Sequence, residues 1–263
     1  MFQKILKIIL RKLQPNEPVS QHVVSRKNMQ DVLVHFKNLN FHPNTIIDVG
    51  VAYGTDGLYG QFDDVRYLLI EPLIEYESVC KKILETNVGD YVIAAASDKC
   101  GELTINVHPD LSGSSVFSES EGKHVDGDPR VVNCVTLDRL CTDKKLTGPF
   151  ILKLDTQGAE LMVLDGAKQT LKDTEIVIME AFLFQFYKGI PLMHDIIAYM
   201  KQRGFVVYDV FGGINSLLDN ALAQVDLVFV KEDGIFRLSN DFATRDQREA
   251  FKAERLRKIN QDQ

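Results

Sequence analysis

Residues 45–54 read TIIDVGVAYG: a short apolar run carrying an acid, followed by small residues spaced closely enough to close a tight turn. Roughly 20 residues further on, a second apolar run, YLLI, ends in Glu71. A buried strand, a glycine-rich turn and an acid closing the next strand form the nucleoside-binding half of a doubly wound α/β domain. Small residues let backbone N–H groups approach a ligand, and a carboxylate at Glu71 can accept from both ribose hydroxyls. The feature therefore points to a cofactor as well as to a fold.

The turn also bears on which cofactor. It carries Asp48, Gly50, Ala52, Tyr53, Gly54 and Gly57, and does not spell the G-x-G-x-x-G of dinucleotide binders. Nor does the chain contain G-x-x-x-x-G-K-[ST], which argues against a triphosphate cradle. An acid at the end of the first strand repels a pyrophosphate. It suits a cationic ligand such as the sulfonium and α-ammonium groups of S-adenosylmethionine. The residues favour a methyl donor over a dinucleotide.

At 263 residues and 45% hydrophobic content the chain can bury one three-layer core with short extensions. A net charge of −7 leaves no broad basic footprint, so a nucleic-acid partner is not expected. Cys80, Cys100, Cys134 and Cys141 show no C-x-x-C spacing and read as reduced, mostly buried thiols in a cytoplasmic setting. No run approaches the ~20 apolar residues of a membrane span. The N-terminal MFQKILKIILRKL, however, places Phe2, Ile5, Leu6, Ile9 and Leu13 on one helical face and Lys4, Lys7, Arg11 and Lys12 mostly on the other. Such a helix can lie on the inner face of an anionic membrane, or pack on its own domain or on a second subunit in a homo-oligomer.

Strands are expected at 45–49, 66–70, 91–95, 150–154, 175–180, 205–210 and 225–230. Helices are expected at 55–61, 73–86, 159–171 and 192–203. Residues 1–40 read as a helical extension with a Pro-containing linker at 14–20, residues 41–238 as the domain, and residues 239–263 as a charged, exposed helix or tail. Between 100 and 140 the alternation breaks. GELTINVH and VVNCVTL each alternate as half-exposed strands do, and the Ser-, Gly- and Asp-rich stretch between them is read as a lid over the cofactor cleft.

The next chemical cluster is ILKLDTQGAE. Strand 150–154 is apolar, yet it contains Lys153 and leads into Asp155, on the same face. A buried lysine needs a carboxylate partner, and Asp155 sits where open α/β sheets bind ligands. Glu160 reads as a first-turn acid of the following helix. IVIME closes with Glu180, which can face the same cleft. Phe182, Phe184, Phe186 and Tyr187 read mainly as core, with one of them able to wall a substrate pocket. His108, His124 and His194 lie outside strong motifs.

The chain resembles the FkbM-type S-adenosylmethionine-dependent methyltransferases, over about residues 45–230. The segments in order are IIDVGVAYG, IEP at 70–72, GSSVF at 113–117, VTLDRL at 135–140, LKLDTQGAELMVLDGA at 152–167 and Tyr187–Lys188–Gly189. The resemblance implies a class I methyltransferase fold, Rossmann-like α/β, with a seven-stranded, mostly parallel sheet, helices on both faces and an antiparallel last strand. By analogy, Asp48, Gly50, Tyr53, Gly54, Glu71, Pro72, Ser97 and Asp98 line the donor site, and Ser114, Ser115 and Tyr187 meet the substrate. The implied reaction is O-methylation of a hydroxyl on a sugar or glycosylated natural product. Asp155 would be the base or orienting group, Glu180 the second candidate, and Lys153 the group that tunes Asp155. A divalent cation bridging Asp155 and Glu180 is compatible with these residues, but no ligand spacing indicates one. Three other readings stay open: N-methylation of a small molecule, a NAD-dependent Rossmann oxidoreductase, and a non-catalytic, membrane-docked binding protein.

Overall fold

The structure is a computed structural model that describes residues 26–122 and 125–261. The N-terminal amphipathic segment, the linker at 14–20 and His124 lie outside the described residues. In chain order the elements are α1 (Met29–Asn38), β1 (Thr45–Val49), β2 (Arg66–Glu71), α2 (Glu77–Leu84), β3 (Gly89–Ile93), β4 (Ala95–Ala96), β5 (Gly101–Val107), β6 (Asp128–Val135), α3 (Leu137–Asp143), β7 (Phe150–Leu154), α4 (Glu160–Asp165), β8 (Thr174–Phe182), α5 (Met193–Gln202), β9 (Phe205–Asn215), β10 (Leu222–Lys231) and α6 (Arg245–Gln261).

Continuous apolar runs fix the centre of the sheet. β1, β7 and β8 are buried at every position, as strands covered on both faces must be. The large sheet runs β3-β2-β1-β7-β8-β10-β9. Its neighbours are parallel except at β10, which runs antiparallel to both β8 and β9. This is the expected class I arrangement. One face carries Ile47, Val49, Leu68, Ile70, Leu152 and Leu154, packed with Leu137 and Leu140 of α3, Val163 and Leu164 of α4, and Ile196 and Met200 of α5. Ile46, Leu69, Ile151 and Ile178 alternate with these, point the other way and are also fully buried.

The two polar-to-apolar stretches form a small second sheet, β4-β6-β5, with β5 and β6 antiparallel. The segment between them folds back over the strand ends. It forms isolated bridges Asn106–Ser115 and Glu119–Tyr187. Cys80, Cys134 and Cys141 are buried and Cys100 is exposed, all as free thiols.

Two expectations are corrected. Strand 91–95 lies two residues earlier, at Gly89–Ile93. No helix forms at 55–61, where Gly57 and Gly60 adopt φ of 74° and 71° and the chain runs as successive turns. Residues 26–40 include a helix that belongs to the compact unit Arg26–Glu232. Asn28 caps it, accepting the Asp31 N–H at 2.9 Å, and Met29, Val32, Leu33 and Phe36 are buried. α6, beyond that unit, is a polar, exposed helix. Among the described residues no helix is long and apolar enough to cross a membrane.

Candidate active site

The carboxyl ends of β1, β2 and β7 meet at one edge. Gly50 donates to Ile70 O at 2.9 Å, and Asp155 N–H donates to Val49 O at 3.0 Å. Gly50 has φ of 78°, and a Cβ there would stand 1.8 Å from the carbonyl oxygen of Asp155. Only glycine lets the two strand ends close this far. Glu71 is buried at the rim. One oxygen accepts the Ala52 N–H and the other the Leu73 N–H, both at 2.9 Å. Burial raises its carboxyl above the usual range, and the two N–H groups oppose that rise. A cavity of about 160 Å³ opens here, between Gly50, Glu71 and Pro72 on one side and Asp155–Gln157 with Ser112–Val116 on the other. The segment read as a lid forms one wall.

Lys153 pairs first across the sheet, not along the strand. Its neighbour in register is Asp48 of β1, and the ammonium lies 3.1 Å from Asp48 Oδ1 but 3.7 Å from Asp155 Oδ2. It also donates to Gly50 O at 2.8 Å. Burial opposes its charge, but Asp48 and then Asp155 outweigh burial and hold it above the usual lysine range. Asp48 itself is fully buried and accepts from Thr55 Oγ1 at 3.0 Å and from the Tyr59 hydroxyl. Burial and then Asp48 keep that phenol protonated. Asp48 thus anchors the turn-rich strap 51–60 beneath the cleft.

Three carboxylates cross the strand ends beside Lys153: Asp155 after β7, Glu180 in β8 and Asp226 in β10. The Gln157 amide bridges two of them, donating to Asp155 Oδ1 at 2.9 Å and to Glu180 Oε2 at 3.1 Å. Gln224 donates to the other oxygen of Glu180. Burial, then Asp155 and Glu160, push the Glu180 carboxyl well above its usual range. Burial followed by Asp155 raises Asp226 to about 6. Glu160 is buried and accepts from Thr156 N at 2.8 Å, Thr156 Oγ1 at 3.0 Å and Gly158 N at 3.3 Å, fixing the turn that carries Gln157.

The remaining sequence-predicted residues divide around this edge. Tyr187 is buried, its hydroxyl 2.8 Å from Gly113 O and 3.0 Å from Gln157 Oε1. Ser115 donates to Gln157 O at 2.7 Å, while Ser114 donates to Leu111 O at 2.8 Å. Both serines line the first cavity. Ser97 is buried and donates to Asp98 at 3.0 Å, but Ala95 and Ala96 form the adjoining cavity wall. Tyr53, largely exposed, and Gly54 lie on a second cavity of about 390 Å³ bounded also by Asn28, Asp155, Gly212 and Asp226. Phe182 is buried, whereas Phe184 and Phe186 are exposed. His108 faces Glu119 at 3.4 Å in the lid, and His194 is exposed on α5. Among the described residues no group of His, Cys, Asp and Glu is placed to hold a metal ion.

Gln157, Gln224, Tyr59 and Asp226 escape the sequence reading. Gln157 lies inside the quoted motif, and its φ of 53° sets the turn. Asp226 interrupts the apolar run of β10 and is the one signal there that could have been followed.

Residues 48–207 match the family profile of the methyltransferase FkbM domain. No curated protein matches the chain. Solved structures similar to it include a candidate RNA methyltransferase from Pyrococcus horikoshii (12% identity, 88% of this chain and 99% of that one, TM-score 0.42). Another is an O-methyltransferase from Bacillus cereus in complex with S-adenosylhomocysteine (9%, 87% and 90%, 0.43). A third is magnesium protoporphyrin IX methyltransferase from Synechocystis with bound S-adenosylmethionine (10%, 77% and 77%, 0.41). With the profile covering more than half of its length and running from the Asp48 turn through the Asp155 edge, this chain belongs to the FkbM methyltransferase family.

Proposed function

We propose that the protein transfers a methyl group from S-adenosylmethionine to a hydroxyl oxygen, on a sugar or a glycosylated small molecule. The donor and the reaction class come with the family; the oxygen and the saccharide are the finer reading. One observation carries it. The glycine-closed contact of Gly50 with Asp155 puts a buried ribose-type acid, Glu71, and the Asp155 carboxylate on one cleft.

The cleft suits the donor. Each Glu71 oxygen takes one backbone N–H and keeps a lone pair for a ribose hydroxyl. Gly50 leaves the backbone bare at the cleft, Pro72 lines the same cavity, Tyr53 and Gly54 continue the strap along the second cavity, and Ser97 with Asp98 follow Ala95–Ala96. When bound, the donor supplies a methyl group already activated on a sulfonium. The protein then has to align the acceptor and remove its proton. Asp155, bordering both cavities, orients the acceptor, with the Lys153 ammonium 3.7 Å from its Oδ2. The Gln157 amide, itself held by Glu180, fixes that carboxylate, while Ser115 and Tyr187 tie the lid to Gln157 and Ser114 braces the lid from within.

N-methylation is a second reading, favoured by the density of carboxylates at Asp155, Glu180 and Asp226, which suits an ammonium-bearing acceptor. Incubation with isotopically labelled donor and matched panels of glycosides and amines, read by mass spectrometry, separates the two. Label on glycoside oxygens supports the proposal; label on amines alone replaces it with N-methylation.

A further inference from the structure

The three carboxylates at the strand ends differ in their partners. Asp155 is engaged by the Gln157 amide and faces the Lys153 ammonium. Glu180 is engaged at both oxygens by Gln157 and Gln224. Asp226 accepts no hydrogen bond among the described residues; only burial and neighbouring charges act on it. It sits in register with Glu180 on β8 and Phe211 on β9. Asp226 lines the second cavity, and Gly212, whose Cβ would stand 3.0 Å from Asp226 Oδ2, puts no side chain against it.

Gly50, Ala52 and Asp155 border both cavities, so the second meets the donor cleft at Asp155. A base needs lone pairs that no protein donor already occupies. Asp155 gives one oxygen to the Gln157 amide and has the Lys153 ammonium 3.7 Å from the other, Glu180 gives both oxygens to amides, and Asp226 gives neither, so its lone pairs are the least committed of the three. We propose that Asp226 takes the proton from the acceptor and that the second cavity seats the acceptor's nucleophile, leaving Asp155 to orient it. This rests on the donor reading above. In the step, Asp226 takes the hydroxyl proton as the oxygen bonds the methyl carbon and sulfur keeps the pair of the broken C–S bond. A carboxylate and a sulfonium become a carboxylic acid and a thioether, so charge balances. Titration at about 6 suits a base working near neutrality. The charged groups around it are Lys153 of β7 and Asp155 just after that strand, Glu180 from β8, and Lys27 and Asp56 on the cavity wall; β9 contributes uncharged Phe211 and Gly212.

A base within reach of the transferred methyl is also close to the sulfonium. The cationic donor must then favour the ionised form of Asp226, and the neutral thioether product must not. Calorimetry on the full chain at pH 6, in two buffers of different ionisation enthalpy, counts the protons released by S-adenosylmethionine and by S-adenosylhomocysteine. The wild type should release on the order of half a proton more with the sulfonium ligand. Asp226→Asn should bind both ligands and lose that difference. Equal release in the wild type, or a difference that survives Asp226→Asn, overturns the assignment. Thermal melting checks that the variant folds, and Asp226→Ser replaces it if it does not. If neither ligand binds the wild type, the donor reading fails and this one fails with it.

Discussion

Replacing Asp226 by Asn should stabilise the protein at neutral pH, and the gain can be worked from the structure. The carboxyl titrates at about 6 in the folded chain, against 3.8 when unfolded, with burial as the first cause and Asp155 as the second. Between these values the native state holds a proton that the unfolded state has lost, so stability falls as pH rises through the window. Below about pH 4 both states are protonated and nothing is lost. Above pH 6 the full penalty applies, about 2–3 kcal/mol at 1.36 kcal/mol per pH unit. Asparagine keeps the size and shape but never ionises. The variant should therefore melt roughly 5–10 °C higher than the wild type at pH 7.5, and near the wild-type temperature at pH 4. Differential scanning calorimetry at the two values is the assay. A variant that melts at or below the wild type at pH 7.5, or gains equally at both pH values, would refute the reasoning. Asp226 would then be a solvated or well-paired carboxylate. A residue that weakens the fold at working pH is what a functional position is expected to look like.

Gly50→Ala places a methyl group against the Asp155 carbonyl in a backbone conformation hostile to L-residues. It should cost more than about 3 kcal/mol or abolish soluble expression, and a near-wild-type melt would show that the strand ends are not locked together. Tyr59→Phe strips a donor from the buried Asp48 and should cost about 1–3 kcal/mol by chemical denaturation; no loss would mean that Thr55 and Lys153 suffice to hold it. Asp155→Asn should lower turnover on a true acceptor on the order of 10²-fold while barely moving donor affinity. A parallel fall in donor affinity would place Asp155 in the donor site.

Much of the sheet is legible because buried strands declare themselves. TIIDV and FILKL are apolar enough to be central, and the structure gives β1 and β7 the expected limits. What the sequence conceals is lateral. Lys153 and Asp155 are two residues apart, yet the closer partner of Lys153 is Asp48, more than a hundred residues earlier, because parallel register sets them side by side. Asp226 joins the site only because β10 inserts antiparallel between β8 and β9 and brings it opposite Glu180. Local signals were also outweighed. The pattern at 55–61 favours a helix, but glycines at positive φ and the hydrogen bonds from Thr55 and Tyr59 to Asp48 pull the segment into turns. The reverse holds at α1, where Asn28 followed by Met29, Val32, Leu33 and Phe36 carries both a cap and a helical stripe that could have been read.

Calorimetric titration of the full chain with S-adenosylhomocysteine, alongside NAD and with Glu71→Ala as the comparison, tests the central claim most directly. The expected result is saturable binding of the adenosyl ligand, no heat with NAD, and a loss of about 1–3 kcal/mol of binding free energy on removing the Glu71 carboxylate. Binding of NAD without the adenosyl ligand, or an affinity indifferent to Glu71, would contradict it.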